Sequence, residues 1–300
     1  MTSDVVSTEL RQVLRELKLS GVLDTLPERV ELARQSHLPH QEFLTVVLAD
    51  EVARRERRSA TTRSRAARLD ATMTLEGWDD STDAVYDRDL WAELCTLRFI
   101  DAHRDLVIMG PVGVGKTFMA SALGHIACRR RHTTLMARTD QLLKRLRAAR
   151  LDGTHDTELR RLIRLEVLIL DDFCLQALDP ADTADVYELI VERHRRTTTI
   201  VTTNREPPAE WLAAMSDPLL AEAAIDRLTS NAYQLVVDGP SYRQRQRPGH
   251  PTAQPGPPGG GPTPSSRPAK PGTAGVKAKP SGRPPAGLDP GSPRRRRRTS

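Results

Sequence analysis

The octapeptide GPVGVGKT at 110–117 constrains the fold of this chain more than any other stretch. It follows the apolar run DLVIM and precedes the helical run FMASALGHIA. Glycines at its first, fourth and sixth places permit a tight loop whose N–H groups point inward, toward phosphate oxygens. The helix that follows adds its positive N-terminal end. On this reading Gly110, Pro111, Val112, Gly113, Val114, Gly115, Lys116 and Thr117 wrap the phosphates of a nucleotide. Lys116 neutralises the β and γ phosphates, and the Thr117 hydroxyl completes a Mg²⁺ shell. A loop of this type needs a strand before it and a helix after it, so it predicts an α/β domain.

Four more short apolar runs read as strands: TTLMAR (133–138), VLILDD (167–172), TTIVTTN (198–204) and AYQLVVDG (232–239). Amphipathic helical stretches lie between them, such as DTADVYELIVERHRR (182–196). Near-continuous apolar strands that alternate with helices predict a five-stranded parallel sheet covered on both faces. VLILDD ends in two carboxylates. Asp171 is expected to hold Mg²⁺ through water, and Asp172 to polarise the attacking water. Asn204 ends the next strand and is expected beside the γ-phosphate; the plainer alternative is a strand-to-loop asparagine. An extra strand between the loop strand and the acidic strand marks the ASCE class of P-loop proteins, which includes the AAA+ ATPases. In IDRL (225–228), Arg227 is a candidate to stabilise charge on a phosphoryl group bound by a neighbouring subunit, or else a solvated arginine.

Composition divides the chain into three parts. Residues 1–75 read as a small all-helical domain. Leu10, Val13, Leu14 and Leu17 repeat at helical spacing, Ser20-Gly21 interrupts, and Phe43, Leu44, Val47, Leu48 and Val52 share a face of a later helix. That helix runs into seven arginines between 54 and 68. Arg54, Arg55, Arg57, Arg58, Arg63 and Arg65 are candidate contacts to DNA phosphates, against the alternative of a solvated helical face. Residues 76–247 form the α/β domain. Residues 248–300 hold 14 of the 22 prolines and no aromatic residue, so this tail is expected to be disordered. The tail carries ten Lys and Arg against one acid, so the basic balance of the chain, +6, belongs to it. Three scattered cysteines without a CxxC argue against disulfides and zinc. His37 and His40 are expected at the surface, and Ser241-Tyr242-Arg243 carries no hydrolase motif. With no leader pattern and no apolar run of about 18 residues, the expectation is a cytoplasmic protein with no membrane partner.

The chain resembles the IstB-like ATP-binding proteins, AAA+ helpers of insertion-sequence transposases and relatives of the DnaC helicase loaders. The resemblance rests on GPVGVGKT, RLEVLILDDF, YELIVERHRRTTTIVTTNREP, DPLLAEAAIDRLTSNA and GPSYR, and spans roughly residues 8–246. It implies ATP and Mg²⁺ as cofactors, assembly as an oligomer on double-stranded DNA, and activation of a partner transposase. It implies the roles given above for Lys116, Thr117, Asp171, Asp172, Asn204 and Arg227, and an open role for Arg243. Two other readings stay open: a replicative helicase loader, and a nucleotide-gated scaffold with little turnover. The chain departs from many AAA+ proteins in leaving no room for a helical lid after Gly239. It departs from its relatives in its tail, which is either a DNA-tethering arm or translated sequence with no selected role.

Overall fold

The computed structural model describes residues 6–78 and 84–242. The tail, the 242/243 junction onward and hence Arg243 lie outside the described residues.

Three helices come first: α1 Thr8–Glu16, α2 Val22–Ser36 and α3 His40–Ala66. Ser7 caps α1 by accepting from the Leu10 N–H, and Pro39 precedes α3. Val6, Leu14, Val22, Leu26 and Val47 close a small core among these helices. This core is narrower than the periodicity predicts. Leu10 and Val13 on α1 and Leu17 just after it are exposed, as are Leu44, Leu48 and Val52 on α3. Each stripe is wider than the surface that two neighbouring helices can cover.

The second half of α3 leaves this cluster and packs on the α/β part. Arg63 Nε donates to the Cys128 carbonyl at 2.8 Å, and the Met136 N–H to the Ala67 carbonyl at 2.8 Å. Ala67, Leu69, Leu75 and Trp78 join the core on that side of the sheet. The expected boundary near residue 75 therefore falls in a segment anchored to the sheet's covering helix.

The elements that follow are α4 Arg88–Cys95, α5 Arg98–Asp101, β1 Asp105–Met109, α6 Lys116–Arg129, β2 Thr134–Arg138, α7 Thr139–Leu151, α8 His155–Ile163, β3 Val167–Asp171, α9 Pro180–Arg193, β4 Thr198–Thr203, α10 Ala209–Ala214, α11 Pro218–Ser230 and β5 Ala232–Val236. The strands form one sheet in the order β2-β3-β4-β1-β5, with every pair parallel. All five expected strands are present. β4 lies between the loop strand β1 and the acidic strand β3, the ASCE order. Leu106, Ile108, Met119, Leu123 and Ile200 lie in the core on one face. Leu168, Leu170, Val186, Val201 and Trp211 lie in the core on the other. Because all strands run the same way, they all end at one edge. That edge receives the nucleotide motifs.

The opposite edge, where the strands begin, is tied by a buried arginine. Arg193 donates to the carbonyls of Leu162 (2.8 Å) and Leu165 (2.7 Å), and through Nε to Thr199 Oγ1 (3.1 Å). Asp105 at the start of β1 accepts from the Thr199 N–H at 2.7 Å. Burial pushes the Asp105 carboxyl up to about 7, against the Thr199 hydrogen bond and the Arg193 charge, which favour the anion. A carboxyl raised in the folded state stabilises fully below its unfolded value, and that contribution is lost as pH rises through the folded value. Asp105→Asn keeps the acceptor and removes the titration. We predict that the melting temperature of the native chain falls between about pH 4 and 7 relative to this variant, by on the order of 5 °C. Parallel melting profiles across that range would contradict the assignment.

Candidate functional site

The loop after β1 has backbone that only glycine adopts freely. Gly110 has φ +150°, and a Cβ there would lie 1.8 Å from the Val237 carbonyl oxygen. Gly113 has φ +89°, and a Cβ would lie 2.1 Å from Ser241 Oγ. The loop is thus formed against the segment that follows β5. The Tyr242 N–H donates to the Gly113 carbonyl at 2.9 Å, and Val85 pairs with Asp238 beside it. Val114 is buried as the anchor of the loop, while Pro111 and Val112 face out.

Lys116 opens α6. Its ammonium is nearly buried and donates to the carbonyls of Gly110 (2.8 Å) and Pro111 (2.6 Å). Thr117 Oγ1 donates to Asp171 Oδ1 at 2.9 Å. Thr202 Oγ1, from β4, donates to the same oxygen at 2.5 Å. Asp172 sits in left-handed backbone at φ +55°, with its N–H donating to Thr202 Oγ1 at 3.1 Å. Its Oδ2 lies 3.9 Å from Arg138 Nε. Thr202 therefore holds the Asp171 carboxylate and the backbone of Asp172. Sequence reasoning passed over it, because a threonine in a strand is an ordinary β-former.

Lys116, Thr117, Arg138, Asp171 and Asp172 line a cleft of about 760 Å³ that also takes in Asn204. Trp78, Phe118, Pro240 and Tyr242 also line it, Trp78 lying against Gly115 and Tyr242 against Gly113. Trp78 packs against Phe118 with the rings tilted at 57° and centroids 5.4 Å apart, and its Nε1 donates to the Tyr86 hydroxyl at 3.1 Å. The cleft thus combines aromatic rings, suited to a flat ring, with an ammonium, hydroxyls and carboxylates, suited to phosphates and a hard cation. The aromatic lining has no local sequence motif, because its residues are scattered along the chain from Trp78 to Tyr242.

Arg227 lies elsewhere. It sits one turn before the end of α11 and donates to the Ala223 carbonyl at 2.8 Å. That end of α11 meets the start of β5, whereas the loop follows the end of β1, roughly 15 Å away at about 3.3 Å per strand residue. Arg227 does not line the cleft of its own chain.

The six α3 arginines divide into two groups. Arg54 Nε and Nη2 clasp Glu51 at 2.7 and 2.8 Å. Arg55 Nε reaches the same carboxylate at 2.7 Å, and its Nη2 the Lys18 carbonyl at 2.7 Å. Arg63 holds the end of α6. These three are structural fasteners. Arg57, Arg58 and Arg65 are exposed. The i−3 and i−4 spacing of Glu51 was the available signal. His37 and His40 are exposed, as expected. Cys95, Cys128 and Cys174 are free thiols, and burial raises all three, Cys174 to about 12. Among the described residues no cluster of His, Cys, Asp and Glu could hold a metal ion, and no helix is long and apolar enough to cross a membrane.

Strand order, glycine loop and paired strand-end carboxylates together define a P-loop protein of the AAA+ type. The chain belongs to the IstB-like ATP-binding protein family, whose pattern matches residues 12–249. An insertion-sequence ATP-binding protein of Mycobacterium tuberculosis is 38% identical over 244 residues, 81% of this chain and 97% of that one. One of Sinorhizobium fredii is 35% identical over 236 residues, 79% of this chain and 95% of that one. Among solved structures, the DnaC helicase loader aligns with a TM-score of 0.45 and 22% identity, covering 56% of this chain and 97% of its own.

The Glu51 clasp gives a prediction. The hydrogen bond from Arg54 and, after it, that from Arg55 hold the Glu51 carboxyl down at about 2, against burial. A depressed carboxyl stabilises above its unfolded value, near 4.5, and that contribution fades as pH falls toward 2. Arg54→Ala should lower the melting temperature at pH 7 by on the order of a few degrees, with the deficit shrinking below about pH 4. Arg57→Ala should leave it unchanged. Equal effects of the two substitutions would refute the division into fasteners and free arginines.

Proposed function

We propose that this chain binds ATP with Mg²⁺ in the cleft, hydrolyses it slowly, and in the bound state assembles on double-stranded DNA to recruit and activate the transposase of its own insertion sequence in the cytoplasm. The observation that carries the reading is the Asp171 oxygen shared by Thr117 and Thr202, at the mouth of a glycine loop with an inward lysine. Relatives that cover nearly their whole length with this chain are insertion-sequence ATP-binding proteins, which supports the biological setting.

Each residue has a task in this reading. The N–H groups of 110–115 and the Lys116 ammonium take the phosphates; the ammonium exchanges loop carbonyls for phosphate oxygens. The aromatic lining of Trp78 and Tyr242 takes the base. A hydroxyl and a carboxylate oxygen 2.9 Å apart suit Mg²⁺, which keeps several waters, so Thr117 and Asp171 would hold it. When bound, the ion neutralises charge on the β and γ phosphates. Asp172 accepts a proton from water, and Asn204 orients that water. An aspartate reaches one methylene less far than glutamate, which supports slow turnover. Arg227 lies too far from its own cleft and acts in the cleft of a neighbour, stabilising charge on the transferring group. Arg57, Arg58 and Arg65 contact DNA phosphates.

ATP turnover by the full chain with and without duplex DNA tests the reading. Stimulation by duplex is expected. Stimulation only by a replicative helicase would replace it with a loader, and no turnover under any condition would replace it with a scaffold.

Lys116→Ala should lose most ATP affinity, since the phosphates lose their main counter-charge. Asp172→Asn should bind ATP and DNA yet not hydrolyse. Arg227→Ala should bind but not hydrolyse, and mixing it with Lys116→Ala should restore part of the turnover. A mixture as inactive as its components would sink the inter-subunit role.

A further inference from the structure

A second cavity, of about 240 Å³, adjoins the nucleotide cleft on its β2 side. The two spaces share Met73, Thr117, Arg138 and Asp171 in their linings. Helix α6 supplies one wall through Thr117 and, a turn later, Ser121. The end of β2 supplies Met136 and Arg138, and α7 supplies Gln141 and Arg145, again a turn apart. The segment after α3 closes the cavity with Arg68 and Asp70. That segment is pinned in place. The Met136 N–H donates to the Ala67 carbonyl at 2.8 Å, and His125 Nε2 to the Asp70 carbonyl at 2.9 Å. Ala67 and Leu69 are buried, so Arg68 between them turns outward, in left-handed backbone at φ +61°.

The open groups of the lining decide what it can hold. Ser121 is fully buried, yet its Oγ has no hydrogen-bond partner among the described residues. Arg145 gives Nη2 to Glu158, while its Nη1 is buried without a partner. Arg68 is exposed and makes no side-chain hydrogen bond or ion pair with any described residue. A guanidinium only donates, and a hydroxyl can donate, so one ligand that satisfies all three is an acceptor of several hydrogen bonds. Two acids also line the cavity, and both are engaged. Asp70 Oδ1 accepts from the Thr72 N–H at 2.9 Å and from its hydroxyl at 2.7 Å. Asp171 Oδ1 accepts from Thr117 and Thr202. Arg138 is offset by Asp140 at 3.3 Å, which leaves Arg68 as the uncompensated charge. The volume far exceeds the ~10–15 Å³ that one water needs, so it admits an oxyanion of several atoms.

We propose that this cavity is a second phosphate site, which receives the inorganic phosphate cleaved from ATP before it leaves the protein. The proposal rests on the hydrolysis reading above. Hydrolysis yields ADP and one inorganic phosphate, so the reaction itself supplies the occupant. It does so beside Thr117 and Asp171, the residues common to both spaces. Arg68 and the Arg145 Nη1 then meet phosphate oxygens with charge-assisted hydrogen bonds, and Ser121 adds a third donor. A nucleic-acid phosphodiester offers the same oxygens, and the experiment separates the two sources.

Binding of inorganic phosphate is followed by phosphorus NMR line broadening in the full chain, saturated with Mg²⁺ and a non-hydrolysable ATP analogue that fills the glycine loop. Saturable binding by the native chain is expected. Arg68→Asn keeps a residue that tolerates left-handed backbone, and Ser121→Ala removes only an unpartnered hydroxyl, so both variants should fold. Arg68→Asn should weaken phosphate binding on the order of tenfold, and Ser121→Ala several-fold, with the affinity for the analogue unchanged in both. Arg68→Lys should restore most of the loss. Inorganic phosphate should also slow ATP turnover by the native chain, and slow it less in Arg68→Asn. Phosphate binding that is absent, or equal in the native chain and both variants, while the analogue still binds, overturns the cavity assignment. Failure of the native chain to bind the analogue overturns the ATP reading instead. Displacement of bound phosphate by a duplex, with turnover indifferent to added phosphate, gives the site to a phosphodiester and overturns the cleaved phosphate as its occupant.

Discussion

One carboxylate oxygen, Asp171 Oδ1, accepts hydrogen bonds from Thr117 on α6 and Thr202 on β4. Three elements from distant parts of the chain meet there: the helix after the glycine loop, the acidic strand and the strand between them. The contact exists only because β4 is inserted between β1 and β3 in a parallel sheet, which brings the three C-terminal ends to one edge. Thr202 also accepts from the Asp172 N–H, which holds the backbone where the acidic strand ends. Asp171 is turned to the loop threonine, and Asp172 is half-buried in the cleft near Arg138.

The same parallel geometry gives the molecule its second feature. Helix N-termini and strand ends fall at one edge, helix C-termini and strand beginnings at the other. Acids favour the first and arginines the second, and the arginines before β2, β3 and β4 follow that preference. The buried Arg193, with Asp105 and Thr199, holds the basic edge from inside by tying three strand entrances together. Arg227 belongs to this edge. Its separation from its own cleft is a consequence of α11 running antiparallel to the strand it feeds.

Much of this was legible in the sequence, for reasons that differ by residue. Gly110 to Thr117 form a contiguous motif whose backbone demands are local, so the loop could be read directly. VLILDD and TTIVTTN carried their strand assignment in uninterrupted apolar and β-branched residues, and their end residues line the cleft. Thr202 was hidden because its hydroxyl matters only through a neighbour strand. Trp78, Phe118 and Tyr242 were hidden because they converge only in the fold. On α3 the pattern of Leu44, Leu48 and Val52 suggested burial that two short neighbouring helices do not supply. The arginine run suggested a uniform face, whereas Arg54, Arg55 and Arg63 are committed to Glu51 and the end of α6.

The account depends on a nucleotide lying between the glycine loop and the segment that follows β5. Hydrogen exchange of the backbone amides, with and without ATP and Mg²⁺, addresses that placement directly. The expected result is slower exchange at 110–119, at 171–173 and at the amides of Gly239, Ser241 and Tyr242, with little change in α1 and α2. Protection confined to other segments, or no protection at 110–119 at saturating ATP, would contradict it.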